Sequence, residues 1–120
     1  MDKGQEARLK AKTGIGKGVW FKDKRTGQSK LMGRVEDEVA IYVSDYKHLI
    51  QRIRCSENRS SGGGEKGCYW DGSKYGYRTG YYTFDQSGKK LLWGQYTQFL
   101  TEIEYRRLLN KAKEKGWDIF

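Results

Sequence analysis

Residues 75 to 100 read YGYRTGYYTFDQSGKKLLWGQYTQFL. Two runs of Tyr, Thr, Phe, Leu and Trp flank Ser87 and Gly88, the composition of two β-strands closed by a short turn. With Ser87 and Gly88 as the two loop residues, Phe84 pairs with Leu91 and Tyr82 with Trp93 on one face. Tyr81 then faces Gly94, and Thr79 faces Tyr96, on the other.

Downstream of this hairpin, Thr101 and Glu104 form a T-x-x-E capping box ahead of a periodic run. Tyr105, Leu108, Leu109 and Ala112 fall on one helical stripe, Lys111, Lys113 and Lys115 suit the negative end of the helix dipole, and Gly116 is placed to end the helix. Trp117 to Phe120 are expected to pack back on the sheet.

Upstream, VWFKDK from Val19 alternates toward a turn at Thr26 and Gly27, and SKLMGRV returns as the partner strand. In that register Trp20 faces Gly33, an aromatic covering a bare cross-strand position. Val35, Val39, Ile41 and Val43 continue as the buried parity of a half-buried strand. The next stretch, SDYKHLIQRIRC, places Tyr46, Leu49, Ile50 and Ile53 at helical spacing with Ser44 or Asp45 as a cap, so a short helix is expected over about residues 45–54. Its two isoleucines keep a strand reading open. Residues 57–68, ENRSSGGGEKGC, read as a low-complexity polar loop. The fold class implied is α+β: a small, hairpin-rich antiparallel sheet of about four or five strands with the capped C-terminal helix packed on one face.

Residues 1–18 contain almost no apolar side chains and four glycines. A disordered basic arm is expected there, with residues 19–120 forming a single domain. Leu, Ile, Val and Phe number 22 of 120, a poor supply for a core, but four Trp and nine Tyr supply large buried areas instead. No run approaches the length that crosses a bilayer and the N-terminus has no apolar leader, so no membrane partner and a cytoplasmic location are expected. Cys55 and Cys68, the two cysteines, are accordingly expected to be reduced. With His48 as the one histidine they cannot complete a zinc site, and neither a metal nor a cofactor is expected.

Catalytic motifs fail in detail. TGIGKG resembles a phosphate-binding loop but has Gly18 where Ser or Thr should follow the lysine, and no apolar strand precedes it. Asp37 with Asp45-Tyr46-Lys47 has a faint likeness to the acid and acid-x-lysine pairing of Mg²⁺-dependent nucleases, at too short a spacing. Cys55 and His48 would share a face only on a helix that persisted between them.

Charge is distributed unevenly. Residues 1–34 hold ten Lys or Arg against three acids, which is +7 of the total of +9. Such a segment is an electrostatic footprint for a polyanion. The expected function is therefore non-enzymatic nucleic-acid binding, to DNA or RNA. Phosphates would be met by Lys10, Lys12 and Lys17 on the arm and by Lys22, Lys24, Arg25, Lys30 and Arg34 on the first hairpin. Tyr77, Tyr81 and Tyr96 would offer stacking faces beside Arg78. The principal alternative is an oligomerising interaction module or a pocket for an anionic small ligand. A small Mg²⁺-dependent nuclease is the third reading.

Overall fold

The computed structural model describes residues 1–22, 24–55, 73–94 and 99–119. In chain order the elements are α1 (Lys3–Ala11), β1 (Gly18–Lys22), β2 (Ser29–Val43), β3 (Tyr46–Cys55), β4 (Tyr75–Phe84), β5 (Leu91–Gly94) and α2 (Glu102–Glu114). The five strands form one antiparallel sheet in the order β1-β2-β3-β4-β5, each beside its sequence neighbour. The chain divides into two compact units. The first comprises Met1–Thr13, Glu38–Ile50 and Thr79–Phe120, and the second Gly14–Asp37 and Gln51–Arg78.

The β4–β5 hairpin has the register read from its sequence: Phe84 pairs with Leu91, Tyr82 with Trp93 and Tyr81 with Gly94. Rings cover two of its strand glycines, Gly80 and Gly94. A Cβ added to Gly80 would overlap the Trp93 ring, and one added to Gly94 would overlap Tyr81. Aromatic cover over cross-strand glycine is thus present at Gly80 and Gly94, whereas Gly33 pairs with Val19 rather than Trp20. In the first hairpin Trp20 pairs with Leu31 and Val19 with Gly33, because a bulge between Val19 and Trp20 shifts the register by one residue.

The helix expected near residues 45–54 is strand β3. Ser44 and Asp45 separate it from β2, with Ser44 in the left-handed region at φ 53. Lys47 through Gln51, Ile53 and Cys55 are all buried. Burial of consecutive residues erases the two-residue alternation that marks a strand and leaves a pattern that imitates helical spacing. The branched side chains of Ile50 and Ile53 suit the extended backbone.

Helix α2 begins as its capping box dictates: the Thr101 amide donates to Glu104 Oε1 at 2.9 Å and the Glu104 amide to Thr101 Oγ1 at 3.2 Å. Leu108 and Ala112 are buried, whereas Tyr105, assigned to the same stripe, is 46% exposed. Gly116, at φ 77, terminates the helix with its amide donating to the Lys113 carbonyl. Trp117 is buried.

The N-terminal arm is the larger correction. Residues 3–11 are helical, opened by a second capping box in which Asp2 and Gln5 exchange side-chain and backbone bonds. The one large apolar residue of this helix, Leu9, is 1% exposed and joins Leu49 and Tyr82 in the core of the first unit, with Ala40, Phe84, Leu91 and Trp93 around them. Gln5 Nε2 donates to the Gly88 carbonyl and Arg8 Nη2 to that of Lys89. The Arg8 guanidinium lies 5.0 Å from the centre of the Phe84 ring. A nearly apolar-free segment is ordered here by one core anchor and several polar tethers.

Cys55 is disulfide-bonded, which corrects the expectation of two reduced thiols. Cys68, the loop expected at 57–68 and Tyr96 lie outside the described residues. Among the described residues no helix is long and apolar enough to cross a membrane.

Candidate nucleic-acid interface

The hairpin of β1 and β2, in the second unit, gathers most of the cations singled out in the sequence. Lys17, Lys22, Lys24, Arg25 and Arg34 are exposed. Lys30 pairs through its backbone with Phe21. The strand start is pinned by the Gly16 amide on the Val35 carbonyl at 2.8 Å and the Val35 amide on the Lys17 carbonyl at 3.0 Å.

Beside these cations stands a residue that the sequence reading did not select. Trp20 is 63% exposed although it belongs to a strand and is the largest side chain of the hairpin. The bulge that breaks the register at Val19 and Trp20 turns its ring over Gly18. A Cβ built on Gly18 would lie 3.1 Å from the indole nitrogen of Trp20, 3.0 Å from Leu31 Cδ1 and 3.8 Å from Arg34 Nη1. An indole and a guanidinium therefore flank the same bare backbone position. Arg34 Nη1 also donates to the Gly16 carbonyl at 3.4 Å. A rigid ring with an open face, next to donors in a fork geometry, can stack on a base while the fork meets a phosphate.

Other predicted site residues are placed differently. Arg78 is half-buried and its Nε donates to Gln51 Oε1 at 2.7 Å, so its fork is held within the second unit. Tyr77 is half-buried. Lys10, Lys12 and Tyr81 belong to the first unit. There Lys10 lies 3.8 Å from Glu6, and the Lys12 ammonium sits 5.6 Å from the centre of the Tyr82 ring. Tyr81 stands edge-on to Tyr46, with ring centres 5.4 Å apart, and 6.0 Å from His48. Within the second unit Arg52 lies 3.8 Å from the Tyr75 ring centre, with Arg52 Nε 3.6 Å from Glu36 Oε2.

The remaining sites of possible chemistry are mixed in character. A hollow of about 530 Å³ in the first unit is bordered by Lys47, Lys111 and Lys115, but also by Glu38 and Glu114, a balance that does not single out an anionic ligand. Among the described residues no group of three or more His, Cys, Asp or Glu is placed to hold a metal ion. The signal that could have found Trp20 was its spacing: Trp20 and Lys22 alternate on β1 two residues before the Lys24-Arg25 pair. No protein-family model, curated protein or solved structure matches this chain.

Proposed function

We propose that this protein binds nucleic acid through the β1–β2 hairpin, without catalysis. Lys17, Lys22, Lys24, Arg25 and Arg34 meet phosphates, and Trp20 gives an unpaired base a stacking face. The observation that supports this most is the exposed indole of Trp20 set beside Arg34 over Gly18, within a segment rich in exposed cations. A buried tryptophan would serve a core, and scattered lysines would serve solubility. An exposed ring among cations combines the two interactions that single-strand binders use. Cations alone would release counterions from any polyanion, whereas a ring adds preference for bases that can be unstacked.

The test is fluorescence anisotropy of labelled single-stranded and duplex oligonucleotides over a range of salt. Replacing Lys22, Lys24 and Arg25 with alanine should flatten the slope of log K against log salt by about two units or more. Trp20→Ala should weaken single-strand binding by about 5- to 150-fold with little change in slope, because stacking contributes about 1–3 kcal/mol per base. Alanine at Lys111, Lys113 and Lys115 serves as the control for unspecific positive charge. Equal losses from both lysine sets, or no binding at about 0.15 M salt, would reject the hairpin as the interface.

A further inference from the structure

The first unit has a cleft of about 380 Å³ whose walls include four aromatic rings, Tyr46, His48, Tyr81 and Phe99, and one carboxylate, Glu104. Tyr46 and Tyr81 meet at 71° with centres 5.4 Å apart, so they form two adjoining walls close to a right angle. His48 stacks on Tyr46 at 5.7 Å and 23°. Phe99, just before the helix cap, is 82% exposed, so most of its ring is accessible to a ligand. Glu104 is fixed by its own cap, since Oε1 accepts from the Thr101 amide. That bond holds its carboxyl below the usual carboxylate range, so it is charged at neutral pH. Burial pushes the His48 imidazole down, against a smaller opposing pull from Glu104, so this ring is neutral under the same conditions.

Ring faces are the negative part of an aromatic quadrupole, and several of them around one volume attract a cation that is too poorly hydrated to prefer water. An anion would meet both the ring faces and the Glu104 carboxylate unfavourably. A neutral apolar group would gain only apolar contact with the rings and nothing from the carboxylate. We infer that this cleft is a binding site for a methylated ammonium group, held by Tyr46, Tyr81 and Phe99 as an aromatic cage and by Glu104 as the counter-charge. The group can belong to a free small molecule or to a methylated lysine side chain, which share the same chemistry at the cage. The inference concerns the first unit and does not depend on the hairpin cations.

Calorimetric titration of the intact protein separates these cases. The probes are choline, its uncharged isostere 3,3-dimethylbutan-1-ol, and one short peptide carrying either lysine or trimethyllysine. At least one trimethylammonium probe should bind with Kd of about 1 mM or tighter. The isostere and the unmodified peptide should bind at least about fivefold more weakly. Choline alone binding identifies a free small molecule, and tighter binding of the trimethyllysine peptide identifies a modified side chain. Phe99→Ala removes an exposed ring and should weaken binding about two- to fivefold with an unchanged circular dichroism spectrum. Glu104→Gln keeps a side chain that can complete the capping box while removing the charge, and should weaken binding similarly. The assignment is overturned if the isostere binds as well as choline, if neither trimethylammonium probe binds at about 10 mM, or if Phe99→Ala leaves the affinity unchanged.

Discussion

The ammonium of Lys47, buried on β3, donates to the carbonyl oxygen of Lys10 in the last turn of α1 at 3.0 Å. It donates to the Lys12 carbonyl as well. These are carbonyls that a helix end leaves without a partner inside the helix, and a cation there also suits the dipole. Burial lowers the Lys47 pKa, with a smaller opposing effect from Glu38, yet the ammonium remains the form that can donate to both oxygens. Lys47→Met keeps the length of the side chain and removes the donors. It should cost about 1–3 kcal/mol by urea unfolding and should speed tryptic cleavage after Lys10 and Lys12 as α1 frays. Unchanged cleavage would show that α1 does not depend on this bond.

Leu9 is the apolar anchor of the same helix. Leu9→Ala should destabilise the protein by about 2–4 kcal/mol, as expected for a leucine truncated inside a core. Removal of residues 1–13 should lower the melting temperature by several degrees, since it strips the side chain that fills the space between Leu49 and Tyr82. A melting curve that does not move would return this segment to the status of a loose tail.

Gly80 has no room for a side chain because the Trp93 ring occupies its face. Gly80→Ala should therefore cost about 1–3 kcal/mol and alter the near-ultraviolet circular dichroism of the tryptophans. Gly116→Ala provides a contrast. Nothing lies within 4 Å of its Cβ position, and its cost should come from the positive φ alone.

His48 makes stability depend on pH in a defined direction. Its folded pKa lies below its ordinary value of 6.5, chiefly through burial. The unfolded chain therefore takes up a proton first as pH falls, and the stability present above pH 6.5 is lost on passing down through the folded pKa. Urea midpoints should fall between about pH 8 and pH 5, and His48→Gln should remove most of that dependence, because this is the one histidine in the chain. A variant with the same pH profile as the parent would assign the effect to other groups.

Thiol titration in denaturant should find no reactive cysteine before reduction, in keeping with the bond at Cys55. A disulfide of this kind persists where the surroundings are oxidising. Two thiols before reduction would restore the reading of both cysteines as reduced.

Elements whose specification is local were legible in the sequence. The β4–β5 register follows from Ser87 and Gly88 with the ring pattern on either side, and the start of α2 follows from Thr101 and Glu104. Asp2 and Gln5 have the same spacing as Thr101 and Glu104, so the start of α1 was also written in the chain. Composition hides that start, because the helix offers only Leu9 for burial, and what holds it comes from Lys47, Gly88 and Lys89, which are far away in sequence. Strand β3 was misread for a related reason: its neighbours bury nearly every residue, and that environment is not a property of the stretch itself. At the candidate interface the exposed cations were readable from charge alone. The prominence of Trp20 depends on a bulge, which moves a ring without leaving a distinct composition.

The bonds from Gln5 to Gly88 and from Arg8 to Lys89 join residues 83 and 81 positions apart. During synthesis α1 is made before its acceptors, which do not exist until β4 and the turn after it have followed. At about 5–20 residues per second the interval is roughly 4–16 s. A helix of nine residues is marginal by itself over such a time. Helix α1 is therefore made well before the turn it binds and is among the last elements to settle, and its docking closes these two long loops.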